Sequence, residues 1–200
     1  MKYFLIRIAF FILSVFAFLN AIKILNIPIN WPWLLLFAIT LIFWIFWEKI
    51  YRKNNLDYPA IVGSFFILQL YADTLGNAFG MYNKFYWFDK VTHFTGGIMA
   101  GALTFFFLSY WNKKYNWKMS LNFLIILTIL IALALGTLYE LWEYFAYDVL
   151  GYKMLIIGQT ENVDDLLYDL VGTLFFAIPL FYILKKKDYF LPSSIDSKTK

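Results

Sequence analysis

Eight polar side chains interrupt long apolar stretches of this 200-residue sequence and fall at helical spacing. They form four pairs, three or four residues apart: Gln69 and Asp73, Asp89 and His93, Glu140 and Glu143, and Asp165 and Asp169. Residues at this separation project from one face of a helix. Carboxylates with an imidazole can bind a divalent cation or transfer a proton as general acid and base. The pattern indicates a site whose catalytic candidates are His93, Glu140, Asp169, Asp89 and Glu143.

The cost of burying charge in lipid suggests that these side chains converge. A charged group inside a membrane span costs at least about 2.5 kcal/mol unless it faces the bundle interior or water. At 1.5 Å per residue, the ionisable groups of the last four apolar stretches lie at a similar depth, in the outer third of a core about 30 Å thick. We therefore expect one pocket that opens to the outer face, with His93, Glu140 and Asp169 at its centre. The side chains expected around this centre are Asp73, Asp89, Glu143, Asp165 and Gln69.

Several members of the set also have a local structural explanation. Asp164 and Asp165 follow Asn162 at the predicted start of a helix, where carboxylates and an asparagine cap are favoured. Asp89 is likewise favoured near a helix N-terminus. His93 alone fits a hydrogen-bonded core residue. The shared depth of the whole set is what favours a functional pocket over these separate explanations.

The composition restricts the class of protein. Hydrophobic residues make up 62% of the chain and charged residues 15%, against about 45–50% and about 25% in soluble domains. The absence of cysteine excludes disulfides, thiol catalysis and iron–sulfur clusters. The single histidine excludes a three-histidine zinc site. The basic residues lie near the ends of apolar stretches, as in membrane proteins, and do not indicate nucleic-acid binding.

Six apolar runs are long enough to cross a membrane, which takes roughly 17–25 residues. They are Tyr3–Ala21, Trp33–Ile50, Tyr58–Asn77, Lys90–Tyr110, Leu121–Tyr147 and Val163–Leu184. Backbone groups in lipid must be paired internally, so each run is predicted to be a helix. The sequence thus predicts an all-α integral membrane protein, a polytopic bundle of about six transmembrane helices over residues 1–190. A polar cytoplasmic tail follows at 191–200. The first run also resembles a signal peptide, and we expect it to stay as an uncleaved helix.

Two further features follow from the same runs. Small residues at Gly97 and Gly101, and at Ala132 and Gly136, predict faces where helices pack closely. The segment 148–162 contains only a short apolar stretch between glycines, and we expect a flap over the outer mouth.

The distribution of lysine and arginine predicts the orientation. With both termini in the cytoplasm, only Lys23, Lys84, Lys90 and Lys153 of the 17 basic residues fall in outer segments. Cytoplasmic loops carry the excess of basic residues in membrane proteins. Both arginines, Arg7 and Arg52, are cytoplasmic in this topology, so an outer phosphatase with an arginine clamp is disfavoured. We expect a multi-pass protein of the inner cell membrane.

The order of motifs resembles two groups of inner membrane proteins. Asp89-Lys90-Val91-Thr92-His93-Phe94 opens one helix, Glu140 follows on the next, and Asp165-x-x-x-Asp169-x-x-Gly172 opens the last. This order is similar to the VanZ-like and the YjdF-like proteins, over about half of the chain from Asp89 onward. Glu143 and Asp169 stand where VanZ-like chains tend to carry Gln and Asn, which favours the YjdF-like group. The resemblance implies a membrane bundle and supplies no biochemical activity.

Three functions remain compatible with the sequence. The first is a metal-assisted site for a lipid head group or lipid-linked substrate. Its ligands would come from Asp89, His93, Glu140, Asp165 and Asp169. Such a set suits Mg²⁺, Mn²⁺, Ca²⁺ or a mixed-ligand Zn²⁺. The second function is a proton-coupled transporter or carrier, and the third is a structural bundle with polar contacts between helices. Membrane lipids are the expected partners, and the oligomeric state stays open.

The topology makes a direct prediction. Reporter fusions after Lys114 and after Lys187 should both read cytoplasmic, because the basic residues near both points belong to inner segments. A fusion near Lys153 should read external. An external reading at Lys187 would contradict the six-helix arrangement.

Overall fold

Helices account for nearly all of the chain that can be described. The computed structural model describes residues 80–145 and 161–186 continuously, with residues 161 and 162 by backbone alone, and single positions elsewhere, namely 8, 11, 12, 15, 19, 42, 45, 49, 68, 69, 72, 76 and 149. The continuous segments form α1 (Met81–Lys84), α2 (Tyr86–Tyr115), α3 (Leu121–Tyr144) and α4 (Glu161–Lys186). No strand occurs among these described residues. The all-α prediction is therefore confirmed for this part of the chain.

Three helices are long and apolar enough to cross a membrane: Tyr86–Tyr115, Leu121–Tyr144 and Val163–Lys186. At 1.5 Å per residue, the 24 residues of α3 span roughly 36 Å, more than a core of about 30 Å. The fourth and sixth predicted spans, Lys90–Tyr110 and Val163–Leu184, are shorter than α2 and α4. Hydropathy detects only the part of a helix that lies in lipid, and these helices continue into polar and aromatic residues at the membrane surface.

Other predictions fall outside the described residues. The first three spans are represented only by single helical positions such as Ile12, Ile45 and Leu68. The end of the fifth span beyond the described part of α3, most of the segment 148–162 and the tail at 191–200 are not described either. The count of six helices therefore stays a prediction.

The chain divides into two compact units, and the second carries most of the described structure. The first unit combines Met1–Thr92 with Trp142–Ile157. In it, the short helix α1 begins after Gly80, whose φ of 63° is a left-handed conformation that glycine adopts easily. The Tyr82 ring packs edge-on against Phe88, with 4.9 Å between the ring centres.

The second unit, His93–Leu141 with Gly158–Lys200, packs parts of α2, α3 and α4 together. Gly97 lies against Asp169, and Phe105 lies 6.5 Å from Phe176 further along both helices, so α2 and α4 run parallel. Glu140 near the end of α3 faces His93 near the start of α2. Consequently α3 runs antiparallel to both neighbours.

One half of this unit is sealed by an apolar core. Its buried members come from all three helices and are Phe105, Leu108, Leu124, Ile125 and Ala177.

Large apolar side chains stay exposed on the outer face of α4: Val163, Leu167, Val171, Phe175, Ile178 and Tyr182. A water-soluble helix carries polar residues on such a face, whereas a lipid-facing helix does not. The unit is therefore built for a membrane.

Two glycines bring the backbones of α2 and α4 into contact. A Cβ atom added to Gly97 would meet the backbone carbonyl oxygen of Asp169, and one added to Gly172 would meet that of Phe94. Each helix thus places a glycine opposite the backbone of the other. The predicted small-residue face at Gly97 and Gly101 is confirmed, because Gly101 also faces α4.

This contact predicts different outcomes for two glycine-to-alanine changes. Gly172→Ala should lower the free energy of unfolding by roughly 1–3 kcal/mol, since the new methyl group meets backbone atoms that cannot move cheaply. Gly101→Ala should have a smaller effect, because its Cβ would meet side-chain atoms of Phe176 at 3.2 Å and Thr173 at 3.4 Å. Thermal unfolding of the detergent-purified variants measures the difference. If Gly172→Ala were no less stable than Gly101→Ala, the backbone contact between α2 and α4 would not be needed for stability.

Candidate functional site

Three helices each deliver one ionisable side chain to the same point of the second unit. His93 comes from α2, Glu140 from α3 and Asp169 from α4. The His93 Nδ1 atom lies 3.6 Å from Oε1 of Glu140 and 3.5 Å from Oδ1 of Asp169. Each of the three residues is only 7% exposed. These distances agree with the convergence expected from helical spacing, and the chemical role of this triad stays a proposal.

The spacing of the triad suits ligands that surround one ion. Its donor atoms all lie within 4.8 Å of one another. The two distances from Nδ1 are longer than a direct hydrogen bond of about 2.7–3.2 Å. Two ligands of one tetrahedral ion, each about 2.05 Å from it, lie about 3.3 Å apart. The side chains are therefore close to the separation that a shared cation would require.

The charge of the triad points the same way. Two ionised carboxylates carry two negative charges, and a protonated His93 would neutralise only one of them. An uncompensated charge in a buried, low-dielectric setting is strongly unfavourable. A divalent cation with two carboxylates and a neutral imidazole leaves no net charge. Protonation of one carboxylate together with His93 would achieve the same balance without a metal.

Backbone contacts fix the position of Asp169. The Thr173 hydroxyl lies 2.8 Å from the Asp169 carbonyl oxygen and 3.1 Å from that of Gly97, so its proton can be donated to either helix. A Cβ atom added to Gly136 on α3 would meet Oδ2 of Asp169. The absence of a side chain at Gly136 leaves the space that this carboxylate occupies.

Two residues that shape the site, Tyr139 and Thr173, were not predicted from the sequence, and a third, Gly136, was predicted only as part of a close-packing face. Tyr139 presents its ring edge-on to His93, with 6.1 Å between ring centres, and Thr173 and Gly136 hold Asp169 as described. Tyr139 adjoins Glu140 in sequence, and adjacent helical residues point in different directions, so spacing gave no signal for it. A hydroxyl four residues after Asp169 was a detectable signal for Thr173, because threonine commonly bonds to the carbonyl four residues earlier.

Asp165 and Asp164 behave differently from each other. Asp165 is 4% exposed and precedes Asp169 by one turn on the same face of α4. Asp164 is exposed near the start of the helix, as its local explanation predicts. Only Asp165 therefore adds to the buried polar groups of the second unit.

The remaining predicted residues belong to the first unit or are not described. Asp89 is half-buried in the first turn of α2, and Glu143 is half-buried near the end of α3. Gln69 donates a hydrogen bond of 2.8 Å to the Thr92 carbonyl oxygen, and the Thr92 hydroxyl donates one of 2.6 Å to that of Asp89. Gln69 thus contacts the backbone of α2 in its first turns. Asp73 lies outside the described residues.

The role of Gly136 can be tested by a single methyl group. Gly136→Ala should displace the Asp169 carboxylate, since the new Cβ would occupy the place of Oδ2. Ala134→Gly, on an exposed position of the same helix, should leave it in place. Chemical shifts of an Asp169 carboxyl label compare the two variants. An unchanged Asp169 signal in Gly136→Ala would contradict this packing.

Comparison with known proteins defines the family of the chain. A protein of Thermotoga maritima described as uncharacterised is 26% identical over 98 residues, which cover 49% of this chain and 50% of that protein. The match therefore spans about half the length of this relative. No solved structure matches the chain. Neither result bears on the VanZ-like or YjdF-like resemblance. Residues 4–186 match the family described as "Predicted membrane protein (DUF2238)", so the chain belongs to this membrane protein family.

Proposed function

We propose that this membrane protein holds a divalent cation at His93, Glu140 and Asp169 and uses it on a lipid head group or lipid-linked substrate at the outer face. The observation that carries this proposal is the triad itself. Three helices bring three buried side chains of metal-ligating type within 4.8 Å of one another. Ionisable groups inside a membrane-spanning bundle are costly in free energy. We therefore take a bound ligand as the reason for their presence.

The proposed cation could take part in a reaction. Three protein ligands leave coordination positions for water or for a substrate oxygen, as catalytic sites do. A cation there would polarise a carbonyl or phosphoryl oxygen or activate water. Asp165, buried one turn from Asp169, is our candidate for a third carboxylate, which would accept a proton from the activated water. The roles expected for Asp89 and Glu143 from the sequence remain part of the proposal.

A lipid substrate is favoured by the location of the triad. His93 follows Tyr86 by seven residues, so it lies roughly 10 Å along α2, where head groups and the first part of the chains are within reach. The proposal also includes the topology expected from the sequence: six helices in the inner membrane, both termini in the cytoplasm, and the triad near the outer face.

Proton-coupled transport is less well supported. A transport path needs polar groups through both halves of the membrane. Among the described residues, buried carboxylates and imidazole occur only at His93, Glu140, Asp165 and Asp169. The other half of the described bundle is packed around the apolar side chains of Leu124 and Ala177, and its buried polar residues, Thr104 and Thr128, are uncharged. A purely structural triad remains the alternative that an experiment must separate.

The proposal predicts stoichiometric metal binding. Detergent-purified protein dialysed against Mn²⁺ or Zn²⁺ should retain about one ion per chain by elemental analysis. Glu140→Gln and Asp169→Asn should each weaken binding by more than about 100-fold, because changes in outer-shell partners alone cost 10–100-fold. Asp164→Asn is the matched control, since it removes an exposed carboxylate of the same helix. It should bind metal like the wild type.

Stability provides the second measurement. Cation at about 100 times its dissociation constant should raise the free energy of unfolding of the wild type by about 2.7 kcal/mol. The triad variants should show no such increase. If the wild type binds no more metal than Glu140→Gln, and the variants are simply less stable, the triad is a structural contact and the proposed function is wrong.

A further inference from the structure

The turn between α2 and α3 has an unusual backbone. Asn116 and Lys118 both adopt left-handed conformations, with φ of 51° and 55°. Asparagine tolerates this region, but lysine adopts it only at a cost in free energy. Asn112 closes the turn: its carbonyl oxygen accepts a hydrogen bond of 3.1 Å from the Trp117 amide, and its side-chain oxygen accepts one of 2.9 Å from the Met119 amide. The turn is therefore held in one specific conformation.

This backbone holds three aromatic rings together at the surface. Trp117, between the two left-handed residues, stacks on Tyr115 with 5.6 Å between ring centres and meets Trp111 edge-on at 6.2 Å. All three side chains are exposed, by 54% for Tyr115, 46% for Trp117 and 38% for Trp111. Clustered, exposed tryptophan and tyrosine are typical of the interface between lipid chains and head groups.

Three lysines lie in the same segment as the rings. The Lys114 amine lies 4.9 Å from the centre of the Tyr115 ring and 5.7 Å from that of Tyr110. Lys113 and Lys118 are exposed in the same short segment. No acidic residue occurs in the sequence from Lys90 to Tyr139. No carboxylate of this stretch therefore neutralises the lysines. The surface joins positive charge to exposed aromatic area.

We propose that this surface, formed by Trp111, Lys113, Lys114, Tyr115, Trp117 and Lys118, binds an anionic phospholipid. The lysines contact the lipid phosphate, and the aromatic rings contact the glycerol region. The surface is separate from the triad, because Trp111 lies 18 residues beyond His93 on α2, roughly 27 Å along the helix. That distance is close to the thickness of a membrane core, about 30 Å, so the turn emerges at the opposite surface.

The turn geometry distinguishes this surface from an ordinary basic loop. Lysines that only fix the orientation of a membrane protein need no particular backbone conformation, since their effect depends on charge. Here a lysine is kept in a left-handed conformation, where glycine would fit more easily. Strained backbone conformations of this kind cluster at functional sites, ligand clamps among them. A lipid is favoured over a soluble anion because the rings lie at the end of a membrane-spanning helix.

Titration with defined lipids tests this proposal. Native mass spectrometry of the purified full chain should show tighter binding of phosphatidylglycerol than of phosphatidylcholine. The double variant Lys113→Gln with Lys114→Gln should weaken phosphatidylglycerol binding about thirtyfold, at about fivefold for each lysine near a membrane surface. The matched control, Lys185→Gln with Lys186→Gln, removes two exposed lysines from the last turn of α4 and should change the affinity less than threefold.

Lys118→Gly separates binding from folding. Glycine relieves the left-handed strain, so the variant should unfold at the same or a higher temperature than the wild type. It should nevertheless bind phosphatidylglycerol about fivefold more weakly. Wild-type affinity in this variant, equal losses in the two double variants, or equal binding of the two lipids would each overturn the proposal.

Discussion

The close approach of α2 and α4 at Gly97 and Gly172 is the constraint on which the rest of the described structure depends. Ordinary side chains at these positions would hold the helices further apart, because each Cβ would meet the backbone of the other helix. With glycine there, Thr173 reaches across to the Gly97 carbonyl oxygen. His93 lies one turn before Gly97, and Asp169 lies just before Gly172. The backbone contact therefore sets the distance between the imidazole and the carboxylate.

The two ends of α3 make different contacts. Near its start, Leu124 and Ile125 fill the apolar core, and near its end Glu140 joins the triad. Gly136 lies between these parts, opposite the Asp169 carboxylate. A single antiparallel helix thus seals one half of the bundle and supplies an acidic group to the other half. Charge and apolar packing are separated by depth within three helices.

The three long helices that the structure describes were predictable from the sequence, whereas the count of six stays a prediction. Apolar runs located α2, α3 and α4, because hydrocarbon tolerates little else over such lengths. Helical spacing and common depth predicted that His93, Glu140 and Asp169 converge. The contacts of Tyr139 with His93 and of Gly136 with Asp169 could not be predicted in this way, since they depend on how far each helix is rotated about its axis. The left-handed Lys118 gave no signal either, because a turn of this kind usually reveals itself through glycine.

The depth of the triad has an electrical consequence. His93 lies three residues beyond Lys90, the predicted start of the lipid-spanning part of α2, and so roughly 4.5 Å into a core about 30 Å thick. Moving one elementary charge across the whole membrane is worth about 2.3 kcal/mol for each 100 mV. A divalent ion that reached the triad from the nearer side would cross about 15% of that voltage, which corresponds to about 0.7 kcal/mol for two charges. The affinity of the proposed site for such an ion would then change about threefold for each 100 mV, so its occupancy would depend on the membrane potential without any movement of the helices.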